Sequence, residues 1–302
     1  MNIEHLAILK HGAARWTEWR VTNPDIQPDL SAVMLKGIDL GGADLKQVDL
    51  SKADLDSIQL HAANLSQANL SNTNLSHANL TAAILTEATI IDAVLNGIEL
   101  RYAQLDHANL IGTNLKSANL EEAELNHAIL IGTQLSAANL RGTDLSYADL
   151  RRTNLSQANL MDSMLNHADL SQATLYEATL IGAHLHRANL QKTNLSQAYL
   201  GSAYLPRASF SEAYLYKTDL RWSNLRWVDF YHANLHKAQL RGADLHKADF
   251  RGANLREADL SQTNLSQANF SKANLQGANL SNTKLSQANF QGTIMPDGVV
   301  HL

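Results

Sequence analysis

The sequence of 302 residues contains no cysteine, only 4 prolines and 6% aromatic residues. The absence of cysteine excludes disulfide bonds, thiol catalysis and cysteine-ligated metal clusters. No apolar run approaches the roughly 18 residues that a membrane-spanning helix needs. A basic excess is missing too, since 24 Lys and Arg stand against 29 Asp and Glu, a net charge of −5. This balance argues against direct nucleic-acid binding, and the short apolar runs argue against membrane insertion.

The first residues also lack the features of a secretory signal. The apolar stretch from Leu6 to Leu9 is short, stands between Glu4 and Lys10, and is followed by no small-residue cleavage pattern. We therefore expect a cytoplasmic protein.

What the sequence does have is a repeat of five residues. From Leu30 to Met295, every fifth residue is large and apolar, which makes 54 consecutive positions without a slip, 47 of them Leu. Two residues before each of these centres stands a small or β-branched residue, which is Ala at 35 of the 53 positions from Val33 to Thr293. A period of five fits neither an α-helix nor a long β-strand. The pattern predicts short extended pieces joined by turns, with both apolar positions pointing inward.

Phenylalanine and glycine indicate how these pieces are wound. All five Phe, from Phe210 to Phe290, are spaced by 20 residues, so four units per coil would stack them in one ladder. Of the 13 Gly within the repeat, 11 stand two residues after a centre, where a type II turn requires positive φ. The sequence predicts an all-β solenoid of about 13 coils.

Runs of A(D/N)LXX units, such as HAANL-SQANL-SNTNL-SHANL, resemble the pentapeptide-repeat family. The resemblance covers residues 30–295 and implies a right-handed quadrilateral β-helix. The flanks HLAILKHGAARWTEWRVTNPDIQPDL and TIMPDGVVHL are similar to those of cyanobacterial members. Residues 81–105 depart from the family pattern, because the usual Asp or Asn is replaced by Ile84, Thr89, Val94, Glu99 and Gln104.

The chain is expected to have three segments. Apolar residues at helical spacing predict that residues 1–29 form a short α-helical cap, which would cover the open strand edge of the first coil; they are Leu6, Leu9, Ala13, Trp16 and Trp19. Residues 30–295 form the β-helix, and residues 296–302 form a C-terminal tail.

Catalytic motifs are missing from the sequence, which has no GxSxG, GxxxxGK(S/T) or HExxH pattern and no GxGxxG between a strand and a helix. An interior filled by Leu and Ala also leaves flat outer walls without a pocket, so we expect neither an enzyme nor a cofactor. His107, His127 and His167 share one outward column, but Tyr147 interrupts it and a third ligand is not close. No metal site is predicted.

Function is then expected on outward columns of residues spaced by 20. One wall combines basic and aromatic side chains, which are enriched in protein-binding hot spots. The candidate partner-binding residues, together the basic-aromatic surface, are His167, Arg187, Tyr204, Arg207, Trp222, Arg226, Trp227 and Lys247. The alternative is a solvated ladder of cations and rings, and both interpretations stay open.

A second wall carries a candidate apolar contact, the apolar patch, formed by Ile91, Val94, Ile111, Ile129 and Ile131. Contiguous exposed apolar surface often marks an interface, including a homodimer contact. The alternative is that β-branched residues suit extended chain wherever they stand.

These surfaces indicate two functions. The first is a non-enzymatic scaffold, with regulation as one use, that presents a rigid rod to a protein partner whose identity the sequence does not give. The second follows from the family resemblance, because some members imitate B-DNA and inhibit a type II topoisomerase, gyrase. Residues 29–130 favour it with 13 acidic against 5 basic residues, including an acidic run of Asp39, Asp44, Asp49 and Asp54. Against it, Asp also serves turns, and the C-terminal helical module and projecting loops of those members are missing.

Overall fold

A computed structural model describes residues 1–302 and divides into two compact units, Met1–Asp149 and Leu150–Leu302. Each unit is a β-helix built from coils of 20 residues. Within each unit, residues that precede an apolar centre form parallel bridges with the residue 20 positions further on, as Asp49 does with Asn69 in the first unit and Asn194 with Tyr214 in the second. The bridges are isolated ones, because a five-residue unit leaves too short an extended piece for a longer strand. The β-solenoid that the repeat predicts is confirmed.

A β-turn closes each five-residue unit. In the unit that follows Leu50, the amide of Ala53 donates to the Leu50 carbonyl at 3.1 Å, and Lys52 has φ 60°. This is the geometry of a type II turn. The same position is left-handed at 42 non-glycine residues of the chain. Positive φ at this position therefore does not require glycine here, although it strains each other residue by about 1–2 kcal/mol.

The interior of each coil is apolar and closed. The centres and the small residues before them are buried along most of the repeat, with Leu155 0% exposed, whereas Leu285 near the end of the repeat is 38% exposed. As the spacing predicts, the five Phe of the second unit form one ladder, with successive ring centroids 5.1, 5.0, 4.8 and 5.2 Å apart. Threonines in the small position keep their hydroxyls bonded, as Thr153 does by donating to the Leu150 carbonyl at 2.7 Å.

The Asp or Asn before each centre stabilises the coil in two ways. Its side-chain oxygen accepts a hydrogen bond from the amide two residues on, as Asp49 does from Ser51 at 2.9 Å. An Asn can also bond to the preceding coil, since the Nδ2 of Asn69 donates to Asp49 Oδ1 at 3.1 Å. These bonds explain why the two residue types recur at this position.

Two short helices, α1 (Ile3–Leu9) and α2 (Ala13–Thr22), precede the first coil. The side chain of Asn2 accepts bonds from the first amides of α1, and Gly12, with φ 95°, begins α2. Trp16 of α2 is fully buried and its indole Nε1 donates to the carbonyl of Asp44 at 2.7 Å. Neither helix has the length and apolarity that crossing a membrane requires.

Buried polar side chains also attach the helices to the first coil. Arg20, only 5% exposed, donates to the carbonyls of Ile26 at 2.6 Å and Lys46 at 3.1 Å. His5 Nδ1 accepts from the amide of Asp29 at 3.1 Å. The helices thereby provide partners for backbone groups at this edge of the first coil.

At the other end of the chain, residues 293–301 turn back on themselves. Strand β1 (Thr293–Ile294) pairs antiparallel with β2 (Val300–His301). The His301 ring lies 6.1 Å from that of Phe290. The segment expected to be a tail thus contributes a strand to the last coil.

Candidate functional site

The eight residues of the basic-aromatic surface all lie in the second unit. Five of them occupy the same turn position on successive coils, with φ between 56° and 61°; they are His167, Arg187, Arg207, Trp227 and Lys247. The amide of each donates to a carbonyl one coil further on, as Arg207 does to Arg226 at 3.0 Å. Because this ladder fixes the backbone, the side chains leave the wall in a column with a spacing of about 4.8 Å.

Trp227 is the centre of the best-defined cluster on this surface. The guanidinium of Arg226 lies 4.7 Å from its ring centroid and that of Arg207 lies 5.5 Å away. His246 contacts the ring edge-on at 6.0 Å, and Asp244 accepts from Arg226 at 3.1 Å. These cation–π contacts hold the Trp227 ring in place. Because 40% of the side chain is still exposed, the ring remains available to a partner.

A group of imidazoles surrounds Tyr204. The rings of His184 and His186 lie 5.8 and 6.4 Å from that of Tyr204, and His167 meets His186 edge-on at 5.7 Å. The Nδ1 atom of His186 is buried without a hydrogen-bond partner. Burial, and then the charge of Arg187, lower the pKa of His186 below its ordinary value, which favours the neutral ring.

Trp222 stands apart from these clusters, at the preceding corner of its coil. It is 60% exposed, and its six-membered ring covers the backbone of Gly242, one coil further on. The structure therefore brings seven of the eight predicted residues onto the wall around Trp227 and Tyr204, and places Trp222 on the neighbouring edge.

The cations of the column form no ion pairs within the chain. Arg187, Arg207 and Lys247 have no carboxylate within ion-pair distance, whereas Arg221 binds Asp219 at 2.6 Å. Ion pairs elsewhere in this unit include Lys192–Glu212, Lys237–Glu257 and Arg251–Asp249. The basic-aromatic surface is thus positive within a chain of net charge −5.

The apolar patch lies in the first unit and is less exposed than its composition suggests. Val94 is 39% exposed, and the four isoleucines are half-buried. Ile91, Ile111 and Ile131 take the same position on successive coils, so each covers part of the next side chain.

The histidine column of the first unit continues through the tyrosine that was expected to interrupt it. His107 stacks on His127 at 5.0 Å, and His127 stacks on Tyr147 at 4.9 Å, with ring planes within 8° of parallel. Residue size does not break the ladder, because rings on successive coils stack at close to the coil spacing. The chain has no group of three side chains placed to hold a metal ion.

Local partners occupy much of the acidic run. Asp54 forms an ion pair with Lys36 at 2.9 Å, and the hydrogen bond from Lys36 lowers the pKa of Asp54. Asp44 lies 3.9 Å from Arg20. Asp39 accepts from the amide of Gly41 at 2.9 Å. The Asp side chains thus serve turns and ion pairs within the first coils.

The family model described as pentapeptide repeats matches the chain in eight copies, over residues 29–59, 58–97, 98–142, 118–157, 158–197, 193–230, 223–262 and 253–292. None of the curated proteins compared with the chain matches it.

Solved structures of pentapeptide-repeat proteins are similar to the chain. HetL, a pentapeptide-repeat protein involved in regulating heterocyst differentiation in the cyanobacterium Nostoc sp. strain PCC 7120, is 29% identical over 94% of this chain and 98% of its own, with a TM-score of 0.28. A protein of the Arabidopsis thaliana thylakoid lumen is 38% identical over 28% of this chain and 59% of its own, with a TM-score of 0.28. QnrB1, a plasmid-mediated fluoroquinolone resistance protein, is 17% identical over 66% and 90%, with a TM-score of 0.29.

Proposed function

We propose a function from the premise that the chain belongs to the pentapeptide-repeat family: it is a non-enzymatic scaffold that binds a protein partner through the basic-aromatic surface. The observation that carries the proposal is the column of unpaired cations around Trp227, whose ring two guanidinium groups hold in place. Ordered aromatic and Arg side chains of this kind supply much of the energy of protein interfaces. A fixed backbone ladder also reduces the entropy lost on binding.

The finer architecture belongs to the same proposal. We take the coils to be right-handed and about 13 in number, with residues 1–29 as the cap, residues 30–295 as the β-helix and residues 296–302 as the tail. Such a stack would hold the partner-binding side chains at constant spacing.

Affinity capture from the native organism tests the proposed surface. Wild-type protein is compared with the double variant Arg207→Ala/Trp227→Ala and with a matched control, Arg256→Ala/Lys272→Ala, which removes two exposed cations without ion pairs at other corners of the same unit. We expect the partner to be lost only from the first variant. Retention of every captured protein by that variant would show that the surface is not the interface.

The acidic excess of residues 29–130, with 13 acidic and 5 basic residues, favours a second candidate, inhibition of a type II topoisomerase by DNA mimicry. The ion pairs of Asp44 and Asp54 weaken it, because they neutralise part of the charge that would imitate phosphates. A gyrase supercoiling assay separates the two functions: no inhibition at stoichiometric excess of the protein removes this candidate.

A homodimer contact through the apolar patch is a separate proposal, supported by the exposed Val94 beside the isoleucine column. Sedimentation of the wild type and of Val94→Lys tests it. A monomeric wild type at high concentration would remove it.

A further inference from the structure

We propose that the partner offers the basic-aromatic surface an extended acidic segment, in which two carboxylates four residues apart flank an apolar side chain. The inference rests on the proposed function and names the chemistry that the surface recognises. The carboxylates would meet Arg187 and Lys247, and the apolar side chain would meet Trp227.

Charge complementarity is the first argument for an acidic partner. Arg187, Arg207 and Lys247 lie in one column and lack carboxylate partners, and no acidic residue occupies that column between His167 and Gln287. Arg226 lies beside them and is paired with Asp244 at 3.1 Å. The cations are exposed, so they can form ion pairs with a partner without first breaking internal ones.

The spacing of the column is the second argument. Arg187 and Lys247 are three coils apart, which is about 14 Å at a strand spacing of about 4.8 Å. An extended chain rises about 3.3 Å per residue, so residues i and i+4 are about 13 Å apart on the same face. Two acidic residues at this separation match the two cations, and residue i+2, about 7 Å along the column, then lies between Arg207 at about 5 Å and Trp227 at about 10 Å, within reach of the indole ring.

The fixed position and partial exposure of the Trp227 ring are the third argument. Its contacts with Arg207 and Arg226 fix its position, while two-fifths of the side chain remains open. A fixed ring favours an apolar or aromatic side chain at its exposed edge. The two cations on either side would then hold the segment in one register.

A nucleic acid would also offer anions and stacking rings, but the observations favour the peptide. The net charge of −5 repels a polyanion at long range, and the positive column is narrow and only a few charges long. A short acidic segment of a protein meets that column without bringing a larger negative charge near the rest of the chain.

The test uses the full-length protein and two labelled peptides of equal composition. The first, Gly-Ser-Glu-Thr-Phe-Thr-Glu-Ser-Gly, has the proposed spacing, and the second, Gly-Ser-Glu-Glu-Thr-Phe-Thr-Ser-Gly, places the two acids together. Fluorescence anisotropy is followed to about 1 mM protein, because a few exposed contacts give weak binding. We expect the first peptide to bind at least about three-fold more tightly, since exposed ion pairs contribute only weakly to affinity.

Charge reversal locates the binding. Arg187→Glu/Lys247→Glu should weaken the first peptide by more than about ten-fold, because two attractions become repulsions. The control Arg256→Glu/Lys272→Glu should change its affinity by less than about two-fold, because neither cation lies in the column. A thermal unfolding curve like that of the wild type shows that each variant is folded.

Other outcomes overturn the inference in distinct ways. Equal binding of the two peptides would show that the surface does not recognise the four-residue spacing of the two carboxylates. Tighter binding of a labelled oligothymidylate, with the same loss on charge reversal, makes the surface a nucleic-acid site. If neither peptide binds while partner capture still needs Arg207 and Trp227, the acidic segment is wrong and the scaffold function stands. If partner capture is also independent of Arg207 and Trp227, the acidic segment and the proposed partner-binding surface are both wrong.

Discussion

The six-membered ring of Trp222 occupies the space in which a Cβ at position 242 would stand, and Gly242 lies one coil of 20 residues after it. Gly242 has φ 72°, and Gln, Lys and His residues also adopt a left-handed conformation at the same turn position of other five-residue units. The backbone angle therefore does not explain this glycine. The need to leave room for the indole ring does.

Gly242→Ala should displace the Trp222 ring and destabilise the protein. The left-handed angle alone strains Ala by about 1–2 kcal/mol. Gly277→Ala is the matched control, since its φ is 70° and its Cβ would make only ordinary contact with Glu257 at 3.4 Å. Both variants should show the backbone strain in urea unfolding. Only Gly242→Ala should shift the Trp222 indole N–H resonance, and an unmoved resonance would contradict the packing of the ring on Gly242.

A glycine at a turn position occupied by alanine should stabilise the first unit. Ala62 is exposed with φ 54°, and its neighbour Ala63 is fully buried. Ala62→Gly removes about 1–2 kcal/mol of strain and costs about 0.5–1 kcal/mol in chain entropy, which leaves a net gain of up to about 1.5 kcal/mol. Ala63→Gly should instead lose about 1–2 kcal/mol, because it removes a buried methyl group as well. Urea unfolding of both variants measures the difference in sign.

The sequence predicts the coil well because the coil depends on spacing alone. A centre every five residues and a Phe every 20 can stack in only one way, so the Phe ladder could be derived before any coordinates. The left-handed Gln and Lys residues could not, because propensity assigns such angles to Gly and the ladder of hydrogen bonds overrides it.

The contacts that shape the candidate site depend on side-chain direction, which spacing does not give. Trp222 and Gly242 are 20 residues apart in the sequence, and a bulky residue followed by Gly at that interval is a signal that could have been used. The placement of Arg226 on Trp227 and the burial of Arg20 carry no such signal. They arise where long cationic side chains find a ring or a set of carbonyls in three dimensions.

Phe250→Ala should be among the most damaging substitutions in the second unit. Its ring stacks on two neighbours, at 5.0 and 4.8 Å, and is fully buried, so truncation leaves a cavity and costs about 3–5 kcal/mol. Phe290→Ala is the comparison, because Phe290 is half-buried and has one Phe neighbour, at 5.2 Å; about 1–2 kcal/mol is expected. Equal losses in urea unfolding would show that the ladder does not act as a packed column.

Arg187→Gln should raise the pKa of His186 without restoring it fully. Burial is the main cause of the lowered value and Arg187 the next, so removing the arginine charge leaves the burial in place. Because the folded-state pKa lies below the unfolded value of 6.5, the unfolded chain binds more protons. Stability is therefore lost as the pH falls below 6.5 and levels off below the folded-state pKa. Because the variant raises the folded-state pKa, it narrows the pH range over which stability is lost. Histidine NMR titrations of the wild type, Arg187→Gln and the control Arg256→Gln measure the pKa of His186, and urea unfolding at a series of pH values measures the stability of each. A His186 pKa that is unchanged by Arg187→Gln, or that shifts equally in the control, would show that the column of cations does not act on the imidazole cluster.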